Sequence, residues 1–334
     1  MKRGIVIGKF YPPHRGHKYL IDFATRNVDR LTVIVCHRAD QIIPGTQRAE
    51  WIREIHPDAE VLVVDDIMKD DDSRAWAEYT KKFLGYIPDA VFTSEDYGDT
   101  YAACLGCRHI IVDKERKNVP IRATDIRNDP IKHWEFLEPC VKAHFAKRIC
   151  VIGAESTGTT MLARSLAEYY RTVWVPEFGR MYSEAKGRPD AALWRTDEFT
   201  FIASAQNRME DFLARQCNKI LICDTDSFAT SLWHERYLGC MSRAVEKISA
   251  GRKYDLYILT GDEIPFIQDG TRDGEHIRHA MHKRFEEELR KSGKPFLTLR
   301  GSHETRMKTA KKECDKIISP RLNSLTNSVF SAKI

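Results

Sequence analysis

The sequence predicts an α/β protein built as two successive doubly wound domains, each a parallel sheet with helices on both faces. Three observations carry the prediction. Apolar runs of four to six residues alternate with helix-like stretches through residue 112; the alternation restarts near residue 145; and each half opens with a strand that feeds a glycine-bearing loop and a helix. Strands of a parallel sheet are buried on both faces, so they read as continuous apolar runs rather than as alternating ones. Ligands of such sheets bind beyond the carboxyl ends of the strands, where the strand order reverses.

In the first half, strands are expected over 4–8, 31–36, 61–65, 90–93 and 109–112, with helices near 16–26, 47–55 and 74–84. Residues 130–146 read as a helical connector. In the second half, strands are expected over 148–152, 173–175, 220–223, 255–259 and 296–299, with a helix over about 160–170. The domains are drawn at 1–145 and 146–319. Residues 320–334 carry few charges and no apolar period, which reads as a mobile tail.

A chain of 334 residues gives each domain enough length for its own core. Apolar content of 42% and charged content of 30% are those of a soluble globular protein. The net charge of +5 suits anionic small molecules and is too diffuse to argue for nucleic acid. No apolar run approaches the roughly 20 residues that cross a bilayer. The N-terminus reads as a strand rather than a signal peptide, so a cytoplasmic protein without membrane partners is expected. No exposed seam stands out from the core pattern, which leaves a homo-oligomer open. Of nine cysteines, Cys36, Cys150 and Cys223 fall in strand patterns as small hydrophobes. Cys104 and Cys107 have Cys-x-x-Cys spacing near His109, readable as packing or as half a metal site.

The first loop reads Gly8, Lys9, Phe10, Tyr11, Pro12, Pro13, His14, Arg15, Gly16, His17. His14 and His17 sit three apart, on one face of a helix start, where free amides and the helix dipole favour phosphate. Gly16 lets backbone approach a ligand closely. A second anion-binding segment, 121–127, offers Thr124 as a helix cap and Arg127 as a forked phosphate donor. Such a set suits attack by a phosphate oxygen on the α-phosphorus of ATP. The reaction needs two substrates held in line, positive donors on the departing pyrophosphate, and magnesium, rather than a nucleophilic side chain.

The two segments, Gly-Lys-Phe-x-Pro-Pro-His-x-Gly-His and Ile-x-x-Thr-x-Ile-Arg, resemble the His-x-Gly-His nucleotidyltransferase superfamily. The resemblance implies a Rossmann-like nucleotidyltransferase in which Gly8, Lys9, Phe10, His14, Gly16 and His17 hold the triphosphate and Thr124 and Arg127 complete its cradle. The family's second segment begins Ile-Ser-(Gly/Ser/Ala)-Thr, and Arg122 stands in place of that serine. Residues 93–98, with Glu95 and Tyr97, resemble a nucleotide-side loop of the nicotinamide branch. Trp76 is a candidate either for stacking a base or for packing a helix.

The second loop, Gly153, Ala154, Glu155, Ser156, Thr157, Gly158, Thr159, Thr160, has the Gly-x4-Gly spacing of a P-loop between strand and helix. Thr159 occupies the position of the usual lysine, whose charge sits on the β and γ phosphates. Loop amides can still cradle phosphate and Thr160 can still bind magnesium. The missing charge would come from elsewhere, for example Arg180 or Arg272. Asp224 and Asp226 end an apolar strand as a Walker-B-like pair, Asp226 being readable also as a plain cap. Glu177 follows a strand and could take a proton from a substrate hydroxyl. Residues 269–274, with Arg272, read as a closing lid or as a solvated turn.

Taken together, the two halves resemble the bifunctional NadR-type family over about residues 1–318, and its Pro-Glu-Phe-Gly-Arg and Asp-Thr-Asp segments recur here. The resemblance implies ATP-dependent phosphorylation of ribosylnicotinamide to nicotinamide mononucleotide (NMN), then adenylyl transfer from ATP giving NAD and pyrophosphate. ATP and Mg2+ are the implied co-substrate and metal. Family members that act as repressors carry an extra N-terminal helix-turn-helix domain; this chain starts at the transferase strand, so DNA binding is not implied. A nucleotidyltransferase with a weak or regulatory P-loop domain, or with another acceptor, remains an alternative reading.

Overall fold

The first apolar run forms β1 (Arg3–Gly8), the middle strand of a five-stranded parallel sheet ordered β3-β2-β1-β4-β5. A computed structural model of the chain describes residues 1–67, 72–187, 194–268 and 275–319, and divides it into two units, Met1–Val141 and Lys142–Ile334.

In the first unit β1 is followed by α1 (Arg15–Thr25), β2 (Arg30–His37), α2 (Gly45–Ile55), β3 (Glu60–Asp65), α3 (Ser73–Leu84), β4 (Ala90–Thr93), α4 (Tyr97–Leu105) and β5 (Arg108–Ile111). Successive residues of β1 serve opposite faces, as the strand period requires. Val6 joins Leu20 and Ile21 of α1 and Ile52 of α2, whereas Ile5 joins Ala77 of α3 and Leu105 of α4. The order reverses between β1 and β4, and the loop from Gly8 to His17 leaves the sheet at that crevice.

After α5 (Ala123–Asn128), the helical connector expected over 130–146 is divided into a 3-10 turn at Trp134–Phe136 and α6 (Pro139–Phe145). Pro139 accounts for the break, because proline starts a helix well and the residue before it avoids helical backbone. The boundary between units falls at Val141 and Lys142, inside α6.

The second unit runs β6 (Lys147–Ile152), α7 (Thr159–Tyr170), β7 (Trp174–Val175), α8 (Phe178–Lys186), α9 (Thr196–Ala214), β8 (Ile220–Asp224), α10 (Ser227–Leu238), α11 (Arg243–Ala250), β9 (Leu256–Thr260), α12 (Glu275–Lys291), β10 (Phe296–Leu299) and α13 (His303–Ile318). Its sheet is also parallel, in the order β10-β9-β6-β8-β7. Ile149, Val151, Ile222 and Ile258 pack under Leu162 and Leu166 of α7 and Ala310 and Cys314 of α13. A satellite apolar cluster joins Phe199 and Ile202 of α9 to Trp194 and to Val245 of α11. β6, β8 and β7 are neighbours, so their carboxyl ends deliver three loops to one edge. Among the described residues no helix is long and apolar enough to cross a membrane. Arg272 and the proposed lid lie outside the described residues, as does the tail from residue 320.

Candidate functional site

Each unit carries a loop of its own at the carboxyl edge of its central strand. In the first, Phe10 turns the chain with a left-handed φ of 45° while its ring stays buried. His14 caps α1: its Nδ1 accepts from the amides of Gly16 at 3.1 Å and His17 at 3.4 Å. An imidazole that accepts at Nδ1 carries its proton on Nε2, which leaves Nε2–H as the free donor. A Cβ on Gly16 would stand 2.9 Å from the His14 ring, so the glycine makes room for the cap itself.

The rings of His14 and His17 stack with centroids 3.7 Å apart, and Phe10 meets His17 edge-on. Burial, helped by the nearby Arg116 charge and opposed by Asp125, lowers the His14 pKa to about 4. His17 is held well below its usual value by burial, by His14 and by Arg116, in that order. Both rings are therefore neutral donors at neutral pH. His17 Nδ1 is buried and unsatisfied.

The 121–127 segment reaches the same loop. Arg127 donates to the Tyr11 carbonyl and, at 2.9 Å, to Thr124 Oγ1, and its guanidinium lies 5.0 Å from the Tyr11 ring centre. Thr124 is not the helix cap expected. Arg122 holds that position, and Asp125 reaches back to accept from the Arg122 amide at 3.2 Å. An aspartate at the third helical position satisfies the cap residue's own N–H, as the acidic half of a capping box does.

Lys9 Nζ lies 3.7 Å from the buried Asp66 carboxylate. Tyr97 donates to the Ile7 carbonyl at 3.3 Å, and Glu95 accepts from Arg116 at 2.6 Å. Trp76 is 9% exposed, in one apolar cluster with Ile34, Val64 and Tyr101. Of its two readings the structure takes helix packing. Cys104 and Cys107 are reduced and pack against that same cluster.

Two residues here escaped sequence reading. Arg48 is fully buried on α2 and ties the loop to the sheet, donating to the Lys9 carbonyl, to the Cys36 carbonyl at 3.2 Å and to Gln41 at 2.6 Å. Arg116, the cation felt by both histidines, sits in a turn with a φ of 51°. Nothing in their local sequence marks either.

In the second unit, residues 153–160 link β6 to α7, with Ser156 (φ 58°) and Gly158 (φ 83°) left-handed. A Cβ on Gly153 would come 2.2 Å from Thr260 Oγ1 and 2.6 Å from Thr157 Oγ1, so the loop passes too close to β9 for any side chain. Thr157 turns its hydroxyl inward, donating to the Ala154 carbonyl at 2.6 Å and pairing with Thr260 at 2.7 Å. Only its backbone is left for phosphate.

Thr160 Oγ1 donates to Asp224 Oδ2 at 2.6 Å, and Asp224 Oδ1 is buried and unpartnered. Burial raises the Asp224 pKa, while the Thr160 hydroxyl opposes the rise. Glu177, at the start of α8, is pushed above the usual carboxylate range by burial and by the Asp224 charge, and Arg180 pulls it back. Arg180 also pairs with Glu184 at 3.0 Å.

Of the two readings of Asp226, the geometry is that of the cap. The residue is fully buried, accepting from the Ala229 amide at 2.9 Å as the cap of α10 and from Tyr257 at 2.7 Å. Both oxygens serve the fold, and a buried carboxylate so satisfied offers nothing to a substrate.

Glu155, Gly158, Thr159, Glu177, Arg180 and Asp224 line a cavity of about 340 Å³, whose other wall is Trp194, Phe199, Trp233 and Tyr237. Gln206 joins that lining and accepts from the Phe178 amide at 2.9 Å, which leaves its buried Nε2 without a partner. Sequence reading missed this aromatic wall because its members come from α9, α10 and the segment before α9. It also missed Arg278 and Arg306, whose guanidiniums reach carbonyls of residues 156 and 157 from α12 and α13.

The chain matches two described families in series, "Cytidylyltransferase-like" over residues 5–129 and "AAA domain" over residues 148–306. It is 27% identical over 293 residues to the "Trifunctional NAD biosynthesis/regulator protein NadR" of Escherichia coli, covering 80% of this chain and 71% of that protein. The first half is also similar to the "Nicotinamide-nucleotide adenylyltransferase" of Thermococcus kodakarensis, at 25% identity over 53% of this chain and 100% of that one. A solved structure of "NadR protein in complex with NR" shares the fold, with a TM-score of 0.79 at 23% identity, over 95% of this chain and 96% of that one.

Proposed function

Because the chain is NadR-like, a cytidylyltransferase-like domain joined to an AAA domain, we propose that it is a bifunctional cytoplasmic enzyme of NAD salvage. Its second unit phosphorylates ribosylnicotinamide with ATP to give NMN. Its first unit joins NMN to the AMP part of ATP, giving NAD and pyrophosphate. The observation that carries the reading is the second-unit cavity: a phosphate loop, a base-type carboxylate and a four-residue aromatic wall enclose about 340 Å³, which suits a nucleoside and a triphosphate end.

In the second unit Glu177 takes the proton of the attacking 5′-hydroxyl, a task suited to a carboxyl raised toward neutrality. Amides of the 153–160 loop bind the phosphates. The unpartnered Asp224 Oδ1 and the Thr160 hydroxyl fit Mg2+, which takes one or two carboxylates plus substrate phosphates. When bound, that ion neutralises charge on the β and γ phosphates.

In the first unit an NMN phosphate oxygen attacks the α-phosphorus as the bond to pyrophosphate breaks. His14 Nε2–H and His17 donate to the phosphates as neutral groups, while Lys9, Arg116 and Arg127 supply positive charge. No side chain becomes covalently attached.

The test is a coupled assay from ribosylnicotinamide and ATP, with NMN and NAD measured separately. His14→Ala and His17→Ala each lose about 100-fold or more in NAD formation while NMN accumulates. Asp224→Asn loses NMN formation and still converts supplied NMN to NAD. NAD synthesis unchanged in both histidine variants would reject the first-unit assignment. Thr159 keeps a second reading in view, in which the P-loop unit binds nucleotide without transferring phosphate. Measurable NMN formation by the unaltered chain disposes of it.

A further inference from the structure

The loop at 153–160 lacks its lysine, yet two buried cations reach it from behind. Arg306 of α13 is 3% exposed and donates to the Thr157 carbonyl at 2.6 Å, to the Gly261 carbonyl at 3.0 Å and to Glu263 at 2.8 Å. Arg278 of α12, 4% exposed, donates to the Ser156 carbonyl at 3.3 Å and the Ile264 carbonyl at 2.6 Å. The Ile267 amide adds a bond to Ser156 Oγ at 2.8 Å. Residues 156 and 157 are thus fastened to the segment after β9 by two guanidiniums.

Shape alone does not call for this. Carbonyls can be held by neutral donors, and burying a guanidinium carries a desolvation cost that a neutral side chain avoids and that Glu263 offsets in part for Arg306. A cation, however, does something a neutral donor does less well. The Ser156 carbonyl shares its peptide group with the Thr157 N–H, and the Thr157 carbonyl shares its own with the Gly158 N–H. Positive charge on the oxygen draws electrons through the conjugated peptide, and the N–H on the far side becomes a stronger donor. Ser156 and Gly158 face the cavity.

We propose that Arg306 and Arg278 replace the missing loop lysine electrostatically, by strengthening the Thr157 and Gly158 amides as phosphate donors. They touch no substrate and act as positioning residues. The inference rests on the kinase reading of this unit. It also explains why the charge expected at Thr159 can be absent: the charge stands behind the loop, one peptide group away from the phosphate.

The test reads the KM for ATP and kcat of NMN formation in the full chain, with the melting transition of each variant recorded. Arg306→Gln keeps an amide donor and removes the charge; it raises the KM for ATP about tenfold, and Arg306→Lys, which keeps the charge, raises it less. Thr159→Lys added to Arg306→Gln restores the KM for ATP. Should Arg306→Gln fail to fold, Glu263→Gln decides the matter. It removes the opposing charge at 2.8 Å while its amide oxygen still accepts, and it lowers the KM for ATP several-fold. An unchanged KM for ATP in folded Arg306→Gln, no rescue by Thr159→Lys, or an unchanged KM in Glu263→Gln overturns the proposal. Absence of NMN formation by the unaltered chain rejects the kinase reading instead, so the two failures are distinct.

Discussion

His14 does two jobs with one ring: Nδ1 caps α1, which keeps the proton on Nε2 as a donor. Both require a neutral imidazole, and burial enforces neutrality by lowering its pKa from 6.5 to about 4. The unfolded chain binds a proton there near pH 6.5 and the folded chain only near pH 4. The first unit is therefore unaffected by this ring above pH 6.5 and loses roughly 3 kcal/mol through it as pH falls toward 4. Melting curves at pH 7 and pH 5 should show a steeper loss for the unaltered chain than for His14→Asn, which keeps a cap acceptor without the titration. Equal pH slopes would sink this account. Glu177 has the opposite displacement. Its carboxyl is raised, so NMN formation should follow an acid limb well above the ordinary carboxylate range. Glu177→Gln should cost about 100-fold or more in kcat and abolish that limb.

At the scale of elements, three adjacent parallel strands bring the second site together: β6 gives the loop, β8 gives Asp224 and β7 leads to Glu177. The strand-end position of Asp224 was legible because an apolar run ending in a carboxylate has few other uses in a parallel sheet. Asp226 stayed open between a Walker-B-like carboxylate and a plain cap because the two look alike in sequence; only the bonds to Ala229 and Tyr257 separate them. Tyr257→Phe leaves a buried carboxylate short of one donor and should destabilise the second unit by about 1–3 kcal/mol, with the KM for ribosylnicotinamide unchanged. A raised KM at unchanged stability would return Asp226 to the substrate. The cap of α5 was misplaced as well: the helix starts one residue before Thr124, and Asp125 reaches back to the amide of Arg122, a donor that a Thr124 cap would not have served.

For the whole molecule, each unit holds its own sheet, core and phosphate loop, so the two half-reactions should be separable in one chain. An equimolar mixture of His17→Ala and Asp224→Asn chains, neither of which alone makes NAD from ribosylnicotinamide, should make it by passing NMN through solution. Failure of the mixture, with each half-reaction intact in its own variant, would refute that independence. The ten strands of the described residues were visible in the sequence to within a residue or so at their ends, the central ones because a strand covered on both faces has few polar positions to hide it. Helices α4 and α8 to α13 were not read out, and the connector after α5 proved to be a turn and a short helix.

By itself the sequence determined two parallel-sheet units and the places of the two phosphate loops. Those features are local: an apolar run, then glycines and polar groups at fixed spacing. Tertiary structure decided which side chains line a cavity and which are packed away. Trp76 and Asp226 turned inward, the aromatic wall was gathered from separate helices, and Arg278 and Arg306 came from more than a hundred residues away to the loop that lacks its lysine. Burial and charge at a point depend on every element packed around it, and no spacing along the chain records that.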